Sequence, residues 1–504
     1  MGSTTQDLHV LFFPFLAPGH IIPTVDLAKL FASRGVKATI LTTPGNAPSI
    51  QPSIDQANDS CSLRQPIALS LLPFPAAEAG LPAGCENMND IVVTNLDMRF
   101  KFMRAIELLR QPFAQVLREL FPDAVVTDYF LPWTQDVAAE LAVPRIVFHG
   151  TSLFFHCVSH SIDRFKVLES VPACNAQSFV LPGLPHRIEM QRSQFRDSGK
   201  VPGLTVFLER IKNSEERSYG VVANSYYELE PDYAEHYRKV VGRRVWNVGP
   251  VSLYNRNEIE KSQRGDDTSI DCNHCLRWLD TKKPVSVVYV CFGSICKLPI
   301  AQIREIALGL EASEKAFILV VRGVRGNDSD WLPEGFEEEV VGRGKGLIIR
   351  GWAPQILILN HEAVGGFVTH CGWNSCLEGV SSGVPMITWP MFAEQFFNER
   401  LIVDVLKVGV GVGVVEYADM CAERRVVTWE EIRRAVGRVM DGGKEAEEMR
   451  RRARELAEMA RRAVEEGGSS YVDVGELIEE LMERRKAAGA EQMGSEEQAR
   501  GNCP

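Results

Sequence analysis

The chain has 504 residues, of which 45% are hydrophobic and 24% are charged, and its formal net charge at pH 7 is −11. Such values are ordinary for a globular enzyme, and the length corresponds to two or three domains of ~150 residues. Because binding to a phosphate backbone needs a basic surface, the charge argues against nucleic acid as a partner. The apolar run 8–16 lacks a basic lead-in, and no uncharged apolar run reaches ~18 residues, so we expect a cytoplasmic protein without membrane insertion.

Short apolar runs alternate with helical patterns along the chain, which is typical of parallel α/β sheets. The strands predicted in the first half are Leu8–Phe13, Val36–Thr42, Leu69–Leu72, Ala124–Thr127, Arg145–Phe148 and Gly220–Ala223. Those predicted in the second half are Val285–Phe292, Ala316–Val321, Leu347–Arg350, Gly366–Thr369 and Pro385–Thr388. This alternation predicts two doubly wound parallel-sheet (Rossmann-like) α/β domains that face a cleft, with ligands at the carboxyl ends of the strands.

A polar stretch near the middle of the chain sets the predicted domain division. Residues 251–271 carry few apolar anchors and are predicted to form a linker. It separates an N-terminal domain, 1–250, from a C-terminal domain, 272–465. A C-terminal helix is predicted over 466–486, and the polar residues 487–504 are predicted to form a disordered tail.

A phosphate-binding turn is indicated where the predicted strand Gly366–Thr369 ends. His370 follows the strand, and Gly372 leads into a helical stretch of small residues. The first amides of a helix have no intrahelical acceptor, and the helix dipole favours an anion beside them. His370 and the Ser375 hydroxyl can add donors to the same anion, so the pattern predicts a phosphate site.

Residues on either side of this turn can hold the remaining parts of a nucleotide sugar. Trp352 offers a flat face for a base, and Glu378 supplies a carboxylate able to bind a ribose diol. Glu394 and Gln395 follow a short predicted strand, where a hydroxyl-rich group can be held. A lone glycine turn would indicate only a tight strand–helix connection, but polar residues at linked positions favour a ligand site. The predicted ligand is a nucleotide sugar.

The segment from Trp352 to Gln395 resembles the signature box of plant UDP-dependent glycosyltransferases, from Trp-Ala-Pro-Gln through His-Cys-Gly-Trp-Asn-Ser to the closing Glu-Gln. The resemblance extends over nearly the whole chain, including Pro18-Gly19-His20 and Phe292-Gly293-Ser294, and ends near residue 486. It implies a GT-B fold. The donor-binding residues that it implies are Ser294, Trp352, Ala353, Gln355, His370, Gly372, Trp373, Asn374, Ser375, Glu378, Glu394 and Gln395.

The resemblance also implies an activity, which is inverting transfer of a sugar from a UDP-sugar to a small-molecule acceptor. Because the helix N-terminus near 373–375, with His370 and Ser294, can compensate the charge of the leaving diphosphate, we expect that no metal or other cofactor is needed. We also expect a monomer. The resemblance favours the clade that acts on flavonoids, triterpenoids and steroids. A glutamine at the last position of the box, here Gln395, is associated with UDP-glucose. Asp328-Ser329-Asp330 has a manganese-binding spacing, but it lies far from the box and is interpreted as surface.

An acceptor hydroxyl needs a general base, because it is a poor nucleophile until its proton is removed. His20 follows the first predicted strand, and the resemblance implies that it is this base. By the same resemblance Asp128 is the carboxylate that orients it, although a helix N-cap is an alternative role for Asp128. The aromatic residues Phe15, Phe130 and Trp133 lie near these positions and are predicted to contact the acceptor.

Other functions are weighed against this one. A dinucleotide-binding dehydrogenase is rejected, because Val414 stands where a G-x-G-x-x-G fingerprint starting at Gly409 needs glycine. C-glycosylation of an activated phenolic ring stays open as an alternative. A sugar-nucleotide epimerase of the same fold would need no apolar acceptor pocket. A catalytically silent nucleotide-sugar-binding protein would lack the base, whereas His20 and Asp128 are both present.

Overall fold

The computed structural model describes residues 8–60, 62–91, 96–171, 177–196, 203–266, 268–322, 331–418 and 424–501, with side chains through residue 490. Within these ranges the chain forms two parallel sheets with helices on both faces, which confirms the predicted doubly wound domains. No helix of the described ranges is both long enough and apolar enough to cross a membrane.

The N-terminal domain is built on a seven-stranded parallel sheet. Its strands are β1 (His9–Phe13), β2 (Lys37–Thr42), β3 (Ile67–Leu71), β4 (Ala124–Asp128), β5 (Arg145–His149), β8 (Gly220–Ala223) and β9 (Val245–Asn247), and a separate antiparallel pair consists of β6 (Ser178–Val180) and β7 (Glu189–Gln191). The order is β3-β2-β1-β4-β5-β8-β9, so the winding direction reverses between β1 and β4. A ligand crevice is expected at the carboxyl ends of these two strands.

Helices cover both faces of this sheet because each connection between parallel strands must cross over. They are α1 (Pro18–Ser33), α2 (Ala47–Asp59), α3 (Ala76–Ala79), α4 (Leu96–Leu108), α5 (Arg110–Leu120), α6 (Thr134–Glu140), α7 (Leu153–Arg164), α8 (Val167–Ser170), α9 (Leu204–Glu216) and α10 (Pro231–His236). Proline at the first position of α1 has the fixed φ that a helix start requires and lacks only an amide that would be unpaired there.

The C-terminal domain repeats the design with six parallel strands in the order β12-β11-β10-β13-β14-β15. They are β10 (Val287–Cys291), β11 (Ala316–Val321), β12 (Gly346–Arg350), β13 (Val364–Thr369), β14 (Met386–Thr388) and β15 (Gly409–Gly411). The remaining helices are α11 (Glu258–Ser262), α12 (Cys272–Asp280), α13 (Ile300–Ala312), α14 (Phe336–Gly342), α15 (Gln355–Leu359), α16 (Trp373–Ser381), α17 (Gln395–Arg400), α18 (Trp429–Met440), α19 (Lys444–Val464) and α20 (Ser469–Gly501). Here the winding reverses between β10 and β13, which places a second crevice beside them.

The connection between the domains is more ordered than the predicted linker. Asn257 and Glu260 form a reciprocal capping box that starts α11, and Asn255 and Glu260 are buried. Short polar side chains are therefore used here as structural contacts, although the segment offers few apolar ones.

The last helix returns to the N-terminal domain. Val474, Leu477 and Leu481 of α20 pack into the core formed by α1 and the sheet of that domain. The helix continues to Gly501, whereas the sequence predicted a disordered tail from residue 487. Alanine, glutamate and glutamine make up half of residues 487–504, and these are among the strongest helix formers, so helix propensity outweighs polarity.

Candidate active site

A cleft of about 1240 Å³ lies between the two sheets and is lined by residues of both domains. Every predicted donor residue lines it, as do the predicted base and one of the predicted acceptor residues. The structure therefore brings these residues together although they come from the carboxyl ends of strands in two different sheets.

His20 and Asp128 meet at the reversal point of the first sheet. The pairing of Phe13 with Thr127 puts the ends of β1 and β4 side by side. His20 Nδ1 lies 2.7 Å from Asp128 Oδ2, and Asp128 Oδ1 accepts a hydrogen bond from the Phe130 amide at 2.9 Å. The sequence predicted that His20 lies on a loop. In the structure His20 lies in the first turn of α1, because the helix begins at Pro18.

The environment of His20 has opposing effects on its pKa. Burial favours the neutral ring, but the adjacent Asp128 carboxylate favours the imidazolium and outweighs burial, so the pKa of His20 lies above its ordinary value. Asp128 has a fully buried side chain, while His20 keeps 23% of its side chain exposed toward solvent. The pair is thus a fixed carboxylate that orients an accessible imidazole.

The turn that carries His20 is tied to the other domain. Pro23 lies inside α1 and has no N–H, so the Gly19 carbonyl, four residues earlier, receives no helical hydrogen bond from that position. Asn374 of α16 donates its Nδ2 to that carbonyl at 2.7 Å instead. Trp373 donates its Nε1 to the Asn224 carbonyl at 2.7 Å. Two neighbouring residues of the signature box therefore hold the N-terminal domain in place.

The turn predicted to bind phosphate lies at the start of α16. Gly372 is the N-cap residue of α16, so the first amides of a nine-residue helix open into the cleft. His370 is half-buried, and desolvation of its ring lowers its pKa to about 4, so the ring is neutral at pH 7. Gly293, at φ +75°, lies against that ring, and a Cβ added there would be 2.6 Å from His370 Cε1. Only glycine fits this contact without displacing the ring.

Trp352 and Glu378, the residues predicted to hold the base and the ribose, also line the cleft. The backbone of Trp352 exchanges two hydrogen bonds with Ser269 of the connection, at 2.8 and 2.9 Å. The Arg322 guanidinium lies 4.4 Å from the centre of the Trp352 ring. Gln355 donates to Glu378 Oε2 at 2.7 Å and to the Ser375 hydroxyl at 3.2 Å. An aromatic ring and a carboxylate fixed by an amide thus line the same cleft.

Glu394 and Gln395 lie where α17 begins. The side chain of Glu394 makes no capping hydrogen bond to that helix, so capping does not account for it. Burial raises the pKa of Glu394, and its charge also helps to raise the pKa of His20. The side-chain Oε1 of Gln395 accepts hydrogen bonds from the backbone amides of Met391 and Phe392 at 2.9 and 3.1 Å. This leaves the two amide hydrogens of Gln395 to donate within the cleft.

Two of the three residues predicted to contact the acceptor do not line the cleft. Phe130 lines the cleft, but Trp133 is 1% exposed and packs against Phe13 and Phe113 with ring centres 6.2 and 5.5 Å away. Phe15 is also buried and lies behind the site, 5.4 Å from the His20 ring. Proximity in sequence to the catalytic residues does not determine which side of a turn faces the cleft, so these two aromatic residues belong to the core.

The sequence did not single out the aromatic residues that line the acceptor side of the cleft. They come from β4–α6, α7, the turn after β7, α9 and α17, and they are Tyr129, Phe155, Phe195, Phe207 and Phe397. Behind them, Glu215 Oε2 lies 2.9 Å from His149 Nε2, and Glu215 Oε1 accepts from the Tyr237 hydroxyl at 2.7 Å. Burial alone would raise the pKa of Glu215, but His149 outweighs it and lowers that pKa to about 2. The pocket therefore has an aromatic wall with the half-buried carboxylate of Glu215 beside it.

Comparison with known proteins identifies the family. Residues 282–444 match the model of the family described as UDP-glucoronosyl and UDP-glucosyl transferase. The scopoletin glucosyltransferase of Nicotiana tabacum is 51% identical over 94% of this chain and 98% of its own length. The chain belongs to the plant UDP-glycosyltransferases.

A second relative and a solved structure agree with this membership. The UDP-glucose flavonoid 3-O-glucosyltransferase 7 of Fragaria ananassa is 49% identical over 95% of this chain and 97% of its own. The crystal structure of Glycyrrhiza uralensis UGT73P12, complexed with glycyrrhetinic acid 3-O-monoglucuronide, matches 98% of this chain and all of that chain with a TM-score of 0.90 and 42% identity. The chain is a UDP-glycosyltransferase of GT-B fold that acts on small metabolites, as the signature box predicted.

Proposed function

We propose that this UDP-glycosyltransferase transfers glucose from UDP-glucose to a hydroxyl group of a small aromatic metabolite, with inversion at the anomeric carbon. The observation that carries the proposal is the His20–Asp128 pair, joined at 2.7 Å in the cleft that also contains the donor residues. Neither a silent binding protein nor an epimerase accounts for such a pair beside an aromatic pocket.

His20 is the general base of the proposed reaction. With its Nδ1–H donated to Asp128, Nε2 is free to take the proton of the acceptor hydroxyl. The acceptor oxygen forms its bond to the anomeric carbon from the face opposite the diphosphate. The bond from that carbon to the β-phosphate oxygen breaks, and UDP leaves. Asp128 stabilises the resulting imidazolium.

The leaving diphosphate is stabilised by the protein itself. Its charge lies against the N-terminus of α16, where free amides and the helix dipole favour an anion. The neutral His370 ring contributes a hydrogen bond rather than charge, while Lys261 and Arg322 line the same cleft and carry positive charge. This proposal requires no metal. Asp328 and Asp330, which have a manganese-binding spacing, lie outside the described residues.

Each remaining part of the donor has a proposed partner. The uracil base stacks on Trp352, and the ribose diol binds Glu378, which Gln355 holds at 2.7 Å. The transferred sugar contacts Glu394, which accepts hydrogen bonds from hydroxyls, and the amide hydrogens of Gln395. Glucose is the proposed sugar because the family resemblance associates a glutamine at the last position of the box, here Gln395, with UDP-glucose. Glucuronate is disfavoured because neither residue supplies a cation for a sugar carboxylate. The names of the two plant relatives describe both of them as glucosyltransferases.

The acceptor is proposed to be flat and aromatic. Rings of Tyr129, Phe130, Phe155 and Phe207 line the pocket beside His20, and stacked or edge-on aromatic contacts favour such a molecule. The relatives are named for scopoletin and flavonoid substrates, which have this shape. Because an activated phenol also presents a nucleophilic ring carbon, transfer to carbon is the alternative that the experiment must separate.

The test is incubation of the purified protein with a panel of UDP-sugars and aromatic or terpenoid aglycones, read by mass spectrometry. We expect a mass increase of one glucosyl group on a phenolic acceptor, removable by acid, and no product with His20→Ala. An acid-stable glycoside would show transfer to carbon. Without acceptor, a UDP-sugar of unchanged mass but altered chromatographic retention would show an epimerase, and binding without any product would contradict transfer altogether.

A further inference from the structure

Arg264 joins buried carboxylates from the two domains. It lies in the connection between α11 and α12, and its side chain is 10% exposed. Its Nε lies 2.7 Å from Asp26 Oδ2 in α1, and its Nη1 lies 2.5 Å from Glu378 Oε1 in α16. A guanidinium can serve two carboxylates at once because its donors point in fixed directions within one plane.

The N-terminal side of this bridge is itself fixed. Asn255 donates to Asp26 Oδ1 at 2.7 Å, and Lys29 donates to Asn255 Oδ1 at 2.9 Å. The Lys29 ammonium also donates to the Ser53 hydroxyl at 2.7 Å. Asp26, Asn255 and Ser53 are all buried, so the network holds Arg264 in one position relative to α1 and α2.

The C-terminal side of the bridge ends at the carboxylate proposed to bind ribose. Glu378 takes one donor on each oxygen, from Arg264 Nη1 and from Gln355 Nε2 at 2.7 Å. An ionised carboxylate accepts up to about four hydrogen bonds, so capacity for the two hydroxyls of a diol remains. Because both donors are held by further contacts, to Asp26 and to Ser375, they determine the direction in which the remaining lone pairs point.

The same connection also contacts Trp352, on which the uracil base is proposed to stack. Gly265 has φ +102°, and a Cβ built there would lie 2.2 Å from Cζ2 of Trp352. Ser269 is hydrogen-bonded to the backbone of Trp352. The residues around Arg264 therefore border both the aromatic face and the carboxylate of the nucleoside end of the cleft.

We infer that Arg264 is a positioning residue for the ribose of the donor: it holds Glu378 in the orientation that accepts both ribose hydroxyls, and it fixes that carboxylate relative to the N-terminal domain through Asp26. This inference rests on the proposed UDP-sugar function. It assigns to the connection between the domains a part in nucleotide recognition.

The test compares UDP with 2′,3′-dideoxyuridine diphosphate by isothermal titration calorimetry in the wild-type chain, Arg264→Met and Arg264→Lys. We expect the wild type to bind UDP more tightly than the dideoxy ligand by at least roughly tenfold, because two hydrogen bonds to a charged acceptor are lost. Both variants should lose most of this preference by weakening UDP binding alone. KM for the UDP-sugar should rise more than kcat falls. Arg277→Met, which removes a surface arginine with 67% exposure paired with Asp271, should leave the preference unchanged.

The possible outcomes separate the inference from the function on which it rests. An unchanged preference for UDP in the variants would overturn the inference alone. Tighter UDP binding in the variants would also overturn it, because the guanidinium would then compete with the ribose. Arg264→Lys keeps a cation but cannot reach both carboxylates as a planar fork, and it decides the question if Arg264→Met does not fold. A wild type that does not bind UDP would overturn both.

Discussion

Asp128→Asn is the substitution that tests the proposed base most directly. The side chain keeps its size, and its oxygen can still accept from the Phe130 amide, as Oδ1 does at 2.9 Å. Its NH₂ group then faces His20 Nδ1, where the wild type has a carboxylate oxygen at 2.7 Å. The ring must accept at Nδ1 and carry its proton on Nε2, so the nitrogen needed as a base is no longer free.

The expected loss follows from the contact that is removed. A buried hydrogen bond to a charged group contributes ~1.5–3 kcal/mol, which corresponds to a factor of about 10 to 150 in rate. The unfavourable tautomer adds to this, so we expect kcat to fall by at least ~100-fold. Because Asp128 holds the pKa of His20 above its ordinary value, its removal should also shift the acid limb of the residual activity to lower pH.

Initial rates with UDP-glucose and a phenolic acceptor across pH 5 to 9 provide the measurement, with thermal unfolding and UDP binding as checks on the fold. Asp136→Asn, at a carboxylate with 38% exposure in α6, is the matched control and should retain normal rates. A kcat within about threefold of wild type, or an acid limb that does not move, would refute the role of Asp128 in orienting the base.

Three further outcomes are expected. Turnover should survive EDTA, because amides of α16 and cationic side chains stabilise the diphosphate; activity that collapses and returns with manganese would contradict this. Glu394→Ala and Gln395→Ala should each lower the rate with UDP-glucose more than the affinity for UDP, and a preference for UDP-galactose, UDP-xylose or UDP-glucuronate in the wild type would oppose the proposed contacts. Gly293→Ala should weaken UDP binding by roughly tenfold or more by displacing the His370 ring, as measured by calorimetry; unchanged affinity would show that the ring is not needed there.

The donor side of the site could be predicted from the sequence because its chemistry is local. A strand, a glycine turn and a helix place His370, Gly372 and Ser375 within a few residues of one another, and the doubly wound fold brings that turn to the edge of the sheet. Strand bounds agree with the prediction to within a few residues for the long apolar runs. The strands β6, β7 and β9 were missed because each has only three residues and shows no period, whereas β14, which is equally short, was predicted because it lies within a longer apolar run.

The acceptor side could not be predicted because no pattern in one sequence tells which side of a turn or helix faces a cleft. Trp133 follows Asp128 by five residues yet turns into the core, while Phe155, Phe207 and Phe397 come from three helices far apart in the chain. These positions are set by how α7, α9 and α17 pack, which depends on the whole domain. The Arg264 bridge was missed for the same reason, since its partners Asp26 and Glu378 are distant in sequence.

Two of the contacts between the domains hold groups whose relative position matters for the proposed reaction. Asn374 of the donor helix holds the carbonyl next to His20, and Arg264 holds Glu378 relative to α1, the same helix that carries His20. A base and an anomeric carbon supplied by different domains react only if both are held to within a fraction of an ångström. These polar contacts, together with the hydrogen bond from Trp373 to the Asn224 carbonyl, help to set the spacing between the general base and the donor. In physical terms, the polar composition that suggested a passive linker is what allows this segment to bind charged groups of both domains.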